Sequence, residues 1–218
     1  MDIPQQLSLG LSAPQEPTLD NFVIGENAEA VASVRAFIKG EGPQFLYLWG
    51  GHGCGCTHLI KAVTPKEIGR VPTFNQETSI YTVDDVESLT AEEQEALFAL
   101  MNAVRSNPET RLLIAGHAPV RELKIREDIR SRLAWGLVFE LRYLDDESAA
   151  GEFVRQAHDR GIELDKEVTH WVAAHCPRDM RSLRALLDGI DAYAMEQKRK
   201  VTLPLLLQYI SQRGSLWT

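Results

Sequence analysis

Three groups of residues have types and spacing that suggest chemistry. Gly50, Gly53, Gly55 and Thr57 fall in the register of G-x-x-x-x-G-K-[ST], directly after the apolar run QFLYLW (44–49) and directly before the helical THLIKAV (57–63). Glycines let successive backbone N–H groups curl round an anion, and the helix that follows adds partial positive charge at its N-terminus. The lysine position of that pattern is Cys56, which cannot supply the full charge that holds β- and γ-phosphates. Thr57 retains a hydroxyl suited to Mg²⁺. A second apolar run, SIYTV (79–83), ends on Asp84, where a metal-holding carboxylate would stand, and Asp85, where a water-activating acid would stand. The order supports phosphate chemistry. The cysteine argues against ATP turnover by this chain alone.

The loop also alternates His52, Cys54, Cys56 and His58. Four ligands this close, two of them entering a helix, rarely converge on a tetrahedral metal, so no metal site is expected. A thiol at a helix N-terminus is open to redox chemistry. The plainer reading is that small residues fill the lysine slot. The third group is arginines. Arg130 and Arg132 lie in EDIRSRLAWGLVFEL (127–141), just before an apolar run. If that segment is a helix leading into a strand, an arginine there stands near the sheet's carboxyl end and projects toward a neighbour's phosphoryl group. A guanidinium stabilises the charge that builds on such a group. The alternative is an ion-paired, solvated helix. Arg178, Arg181 and Arg184 recur every third residue, either reaching phosphates or forming a polar face.

Elements of two kinds must position these groups. Runs at 44–49, 79–83, 111–116 (RLLIAG) and 136–141 (GLVFEL) read as strands alternating with helices at 27–38, 57–63 and 91–106. Thr90 with Glu93 forms a capping-box signature for the last of these. That alternation predicts an α/β doubly wound parallel sheet. After Leu144 the strands stop, and 146–160, 165–175, 178–198 and 203–212 all read helical, a small all-helical lid. The expected organisation is a tail over 1–20, an αβα nucleotide-binding-like domain over 21–144 and the lid over 145–218. The stretch between the loop helix and Ser79 is too short for a full strand–helix unit.

The chain has 218 residues, 44% of them hydrophobic, which suffices for a packed core. Lys+Arg is 23 against Asp+Glu 31, a net charge of −8, which opposes non-specific gripping of DNA. No apolar run is long enough to span a bilayer, and the N-terminus lacks the basic and apolar regions of a secretion signal. Three cysteines without such a signal suit a reducing compartment rather than a disulfide framework. In the tail, QLSLGL (6–11) alternates apolar residues as an extended segment would.

Taken in order, the glycine loop with THLI (57–60), the acidic strand, RLLIAG, SRLAWG (131–136) and the helical lid resemble AAA+ ATPases of the DnaA initiator branch. QLSLGL resembles the sliding-clamp-binding peptide of the Hda-type regulators in that branch. A chain ending at Thr218 leaves no room for the initiator's helix-turn-helix, which fits the trimmed Hda form. The resemblance implies a regulator that docks on the DNA polymerase sliding clamp and triggers hydrolysis of DnaA-bound ATP, restraining replication initiation from the bacterial cytoplasm. Gln6, Leu7, Ser8, Leu9 and Leu11 would contact the clamp. Arg132 would act in trans on DnaA's ATP. Arg181 would touch a nucleotide, ADP with Mg²⁺, held by Gly50, Gly53, Gly55, Cys56, Thr57, Asp84 and Asp85. No sequence-specific DNA binding is implied. A homodimer that buries the N-terminal peptides would compete with the clamp. His117 stands where the family places an acidic sensor. The readings set against this one are another clamp-binding adaptor of AAA+ origin and an independent ATPase or loader.

Overall fold

The computed structural model describes residues 16–64 and 69–213. Four strands, β1 (Phe45–Trp49), β2 (Ile80–Val83), β3 (Arg111–Gly116) and β4 (Leu137–Glu140), form one sheet in the order β2-β3-β1-β4. All three pairings are parallel, with Tyr47 opposite Ile114 on one side and Val138 on the other. Helix α1 (Ala28–Ile38) precedes β1, and α2 (Cys56–Val63), α3 (Ala91–Arg105) and α4 (Glu127–Leu133) follow β1, β2 and β3 in turn.

The two-residue period of a strand sorts the core into two layers. Phe45, Tyr47, Leu112, Ile114, Tyr81 and Val83 face α3 and α4, meeting Leu97, Leu100, Met101, Val104, Ile129 and Leu133. Leu46, Leu48, Leu113 and Ala115 face the other way, onto Ala30, Val31, Val34 and Phe37 of α1 and Leu59 and Ile60 of α2. A central strand covered on both faces must be apolar throughout, and β1 buries Phe45, Leu46, Tyr47 and Leu48. Thr90 caps α3 as its sequence predicts: its side chain accepts from the Glu93 N–H, and the Glu93 carboxylate accepts from the Thr90 N–H. Among the described residues between α2 and β2 there is no strand, in keeping with the shortness of that stretch.

Four helices follow: α5 (Asp146–Asp159), α6 (Lys166–His175), α7 (Met180–Gln197) and α8 (Leu203–Arg213). Phe153, Val168, Val172, Leu183, Leu186, Leu187, Ile190, Leu205 and Leu206 close a second core among them. Asp145 and Asp179 cap α5 and α7, each accepting from the backbone N–H three residues on. Buried Asn27 ties the start of α1 to the chain leaving β4: its amide donates to the Arg142 carbonyl at 2.9 Å, and its oxygen accepts from the Arg142 N–H at 2.8 Å.

Candidate functional site

The carboxyl ends of β1 and β3 carry the glycine loop. Gly53 and Gly55 adopt φ of +91° and +112°, a region closed to most side chains, and Gly55 is the residue from which α2 departs. The loop therefore makes the tight glycine turn into a helix that the sequence pattern calls for. Its side chains supply no cation. Cys56, in the lysine slot, is buried in the layer against α1, with its sulfur 3.5 Å from that of Cys54. The hydrogen bond between the thiols splits them: it holds the Cys54 thiol down at about 7 against the opposing effect of burial. The same bond pushes the Cys56 thiol up, and burial adds to that.

Carboxylates surround the loop. Asp84 accepts from the Asp85 N–H at 3.0 Å, and Asp85, held at φ +50°, accepts from the Ser88 hydroxyl at 2.6 Å. Glu87, which the sequence reading did not single out, accepts from the His117 N–H, and its second oxygen is buried without a partner. His117 sets Nδ1 3.2 Å from the Gly50 carbonyl and lies against the His52 ring, with centroids 3.9 Å apart. Glu87 thus sets an acidic group beside His117 from the turn after β2. The lid closes over the loop with another acid: a Cβ on Gly53 would lie 2.7 Å from Asp179 Cβ. Tyr143 donates to the His52 carbonyl at 3.0 Å. Arg181 is exposed on the first turn of α7, and Arg178 pairs with Asp146 at 2.6 Å. Neither Asp179 nor Tyr143 could be found from local pattern, because each acts across more than ninety residues of sequence.

This donor set does not fit a hydrolytic triphosphate site. Acids ring the loop while the lysine slot holds a thiol that is harder to ionise than usual. Thr57 stands at the start of α2, where a Mg²⁺ ligand would be placed.

The arginine site lies elsewhere. Arg132 is at the carboxyl end of α4, and there the expectation from sequence needs correction: it stands beside the amino ends of the strands. In a parallel sheet the helix between two strands runs back against them, so its last turn reaches the edge where strands begin. Trp135 packs edge-on against Phe45, the first residue of β1, at 5.5 Å. The glycine loop leaves the far end of the same five-residue strand, roughly 15 Å away at ~3.3 Å per residue. Arg132 and the loop of its own chain therefore face opposite edges.

α3 holds the arginine. Its guanidinium lies 3.7 Å from the Phe98 ring centre and 5.1 Å from that of Trp135, and Nη2 donates to Asn102 Oδ1 at 3.0 Å. Nη1 donates to the Asp128 carbonyl at 3.3 Å, while Nε is buried without a partner. Arg130 instead pairs with Glu127. Phe98 and Asn102 are one helical turn apart, a spacing that places them on one face, but only the fold shows what that face carries. Gln6, Leu7, Ser8, Leu9 and Leu11 lie outside the described residues.

Residues 145–210 match the family model described as Hda, lid domain. The fold of the chain is similar to that of domain III of the Thermotoga maritima replication initiation protein DnaA, with a TM-score of 0.76 and 21% identity over 89% of this chain and 95% of that one. The fold is that of DnaA domain III, and the lid is of the Hda type. AMPPCP-bound DnaA from Aquifex aeolicus is similar at a TM-score of 0.68, with 20% identity over 85% of this chain and 69% of that one. The Thermotoga maritima RuvB Holliday junction branch migration motor is similar at 0.69, with 16% identity over 90% of this chain and 72% of that one. The α/β architecture with a helical lid is shared with these structures. No helix among the described residues is long and apolar enough to cross a membrane.

Proposed function

We propose that this chain is a regulator of DnaA that docks on the DNA polymerase sliding clamp through Gln6, Leu7, Ser8, Leu9 and Leu11 and presents Arg132 to the ATP held by DnaA. The reading rests on the position of Arg132. It stands at the edge of the sheet opposite the chain's own glycine loop, so the phosphoryl group it can serve belongs to another molecule. The match of the lid to the Hda lid model and the DnaA-like fold support DnaA as the partner. A guanidinium supplied in trans accelerates phosphoryl transfer by roughly 10³–10⁵.

The resting state suits the task. Arg132 is stacked on Phe98, with one hydrogen bond at 3.0 Å, a long one at 3.3 Å and an unmatched Nε. A buried donor left unmatched costs about 1–3 kcal/mol, so little is lost when the group swings to an anion. The chain's own loop keeps a backbone cradle suited to the diphosphate of ADP, but not the charge for turnover. Such a regulator acts in the bacterial cytoplasm, held at the nucleoid by the clamp. The test is a capture experiment on DNA-loaded clamp, followed by measurement of the nucleotide left on DnaA. Clamp and chain together should convert bound ATP to ADP, and the double variant Leu7→Ala/Leu9→Ala should lose capture and conversion together. Conversion by that variant at the wild-type rate would refute the tether.

A further inference from the structure

We propose that Cys54 and Cys56 form a reversible disulfide, which makes the glycine loop a site of thiol oxidation. The two sulfurs already lie 3.5 Å apart in hydrogen-bond contact. A disulfide needs about 2.05 Å, so side-chain rotation and a small loop adjustment close the gap. Gly55, the single residue between them, is at φ +112° and carries no Cβ to resist that adjustment. Cys54 lies in the bend before α2, and Cys56 is the first residue of that helix.

The chemistry divides between the two thiols. Cys54 is the nucleophile: its hydrogen bond with Cys56 and the nearby His117 favour its thiolate, whereas Asp84 and Glu87 disfavour ionisation of Cys56. With hydrogen peroxide as the oxidant, the Cys54 thiolate attacks one peroxide oxygen. The O–O bond breaks, hydroxide leaves and takes up the thiol's proton as water, and Cys54 becomes a sulfenic acid. Cys56 sulfur then attacks Cys54 sulfur. The S–O bond breaks, the S–S bond forms, and the displaced hydroxide takes the Cys56 proton as a second water. Two thiols lose two electrons and peroxide gains them. Cys176 has no such partner among the described residues, and burial pushes its thiol up to about 11, so it is the internal control. Because the bridge spans the residue from which α2 departs, reduced and oxidised loops present different amide geometry at that helix N-terminus.

The experiment uses the full reduced chain, exposed to hydrogen peroxide at near-equimolar amounts, alkylated after denaturation and mapped by mass spectrometry. The expected result is one peptide containing both Cys54 and Cys56 that has lost two hydrogens and taken no alkyl group, with Cys176 alkylated. Dithiothreitol should restore two alkylation sites. In Cys56→Ala the intermediate has no resolving thiol, so Cys54 should be trapped by dimedone at least tenfold more than in the wild type. Retained near-UV circular dichroism confirms that the variant folds. Separate alkylation of Cys54 and Cys56 in the treated wild type, or a bridge that includes Cys176 or a second chain, overturns the proposal. The wild-type peptide map decides this whether or not the variant is stable.

Discussion

Arg132 is placed by three side chains, of which only Trp135 shares its SRLAWG motif. Phe98 lies under its guanidinium, Asn102 accepts from Nη2 and Trp135 flanks it. Asn102→Ala removes an acceptor from a charged donor, an interaction worth about 1.5–3 kcal/mol at most and less at an exposed residue. Because the guanidinium gives this bond up when it swings to an anion, stimulated hydrolysis of DnaA-bound ATP should not fall in Asn102→Ala, with clamp capture unchanged. Arg132→Lys should not rescue Arg132→Ala, because an ammonium lacks the planar fork that meets a phosphoryl group bidentately; single-turnover kinetics would read both. At the loop, alkylation of native Cys54 should rise as pH passes about 7, since the thiolate reacts and the group is ionised above that value. His117 favours that thiolate, while Asp84 and Glu87 face its partner Cys56. Cys176 should respond only toward pH 11. A pH profile of labelling by peptide mapping separates the two.

At the scale of elements, much of the fold could be read in advance. Continuous apolar runs gave β1 and β3, because a strand covered on both faces has no polar side to show. Thr90 with Glu93 marked where α3 begins. The edge at which Arg132 arrives follows from the parallel order, because a helix between parallel strands runs back against them, whereas the run 127–141 by itself says only that a helix precedes a strand. Contacts such as Asp179 on Gly53 and Tyr143 on His52 depend on the lid closing over the loop, and no local pattern encodes them. The caps carry predictions of their own. Thr90→Ala should lower stability by about 1 kcal/mol in chemical denaturation, since both halves of its capping box are present. Hydrogen bonds from Ser148 hold the Asp145 carboxyl below the usual aspartate range. Its contribution to α5 is therefore present above the ordinary aspartate value and lost as pH falls through the depressed one. Asp145→Asn should flatten that part of the acid limb in a thermal melt against pH.

Across the whole molecule, two distant sites divide the work. One edge of the sheet carries a loop with the shape of a phosphate site and a thiol pair where a cation is needed. The opposite edge carries an arginine resting on an aromatic face. On the proposed function, Arg132 acts on ATP bound by DnaA rather than at this chain's own loop, a reading supported by the lid match and the DnaA-like fold. The most direct test is single-turnover hydrolysis of ATP on DnaA, with DNA-loaded clamp and either the wild-type chain or Arg132→Ala. The account predicts strong acceleration by the wild type and its loss by roughly 10³ or more in the variant, with clamp capture by the two chains equal. Equal acceleration by the two chains would contradict it.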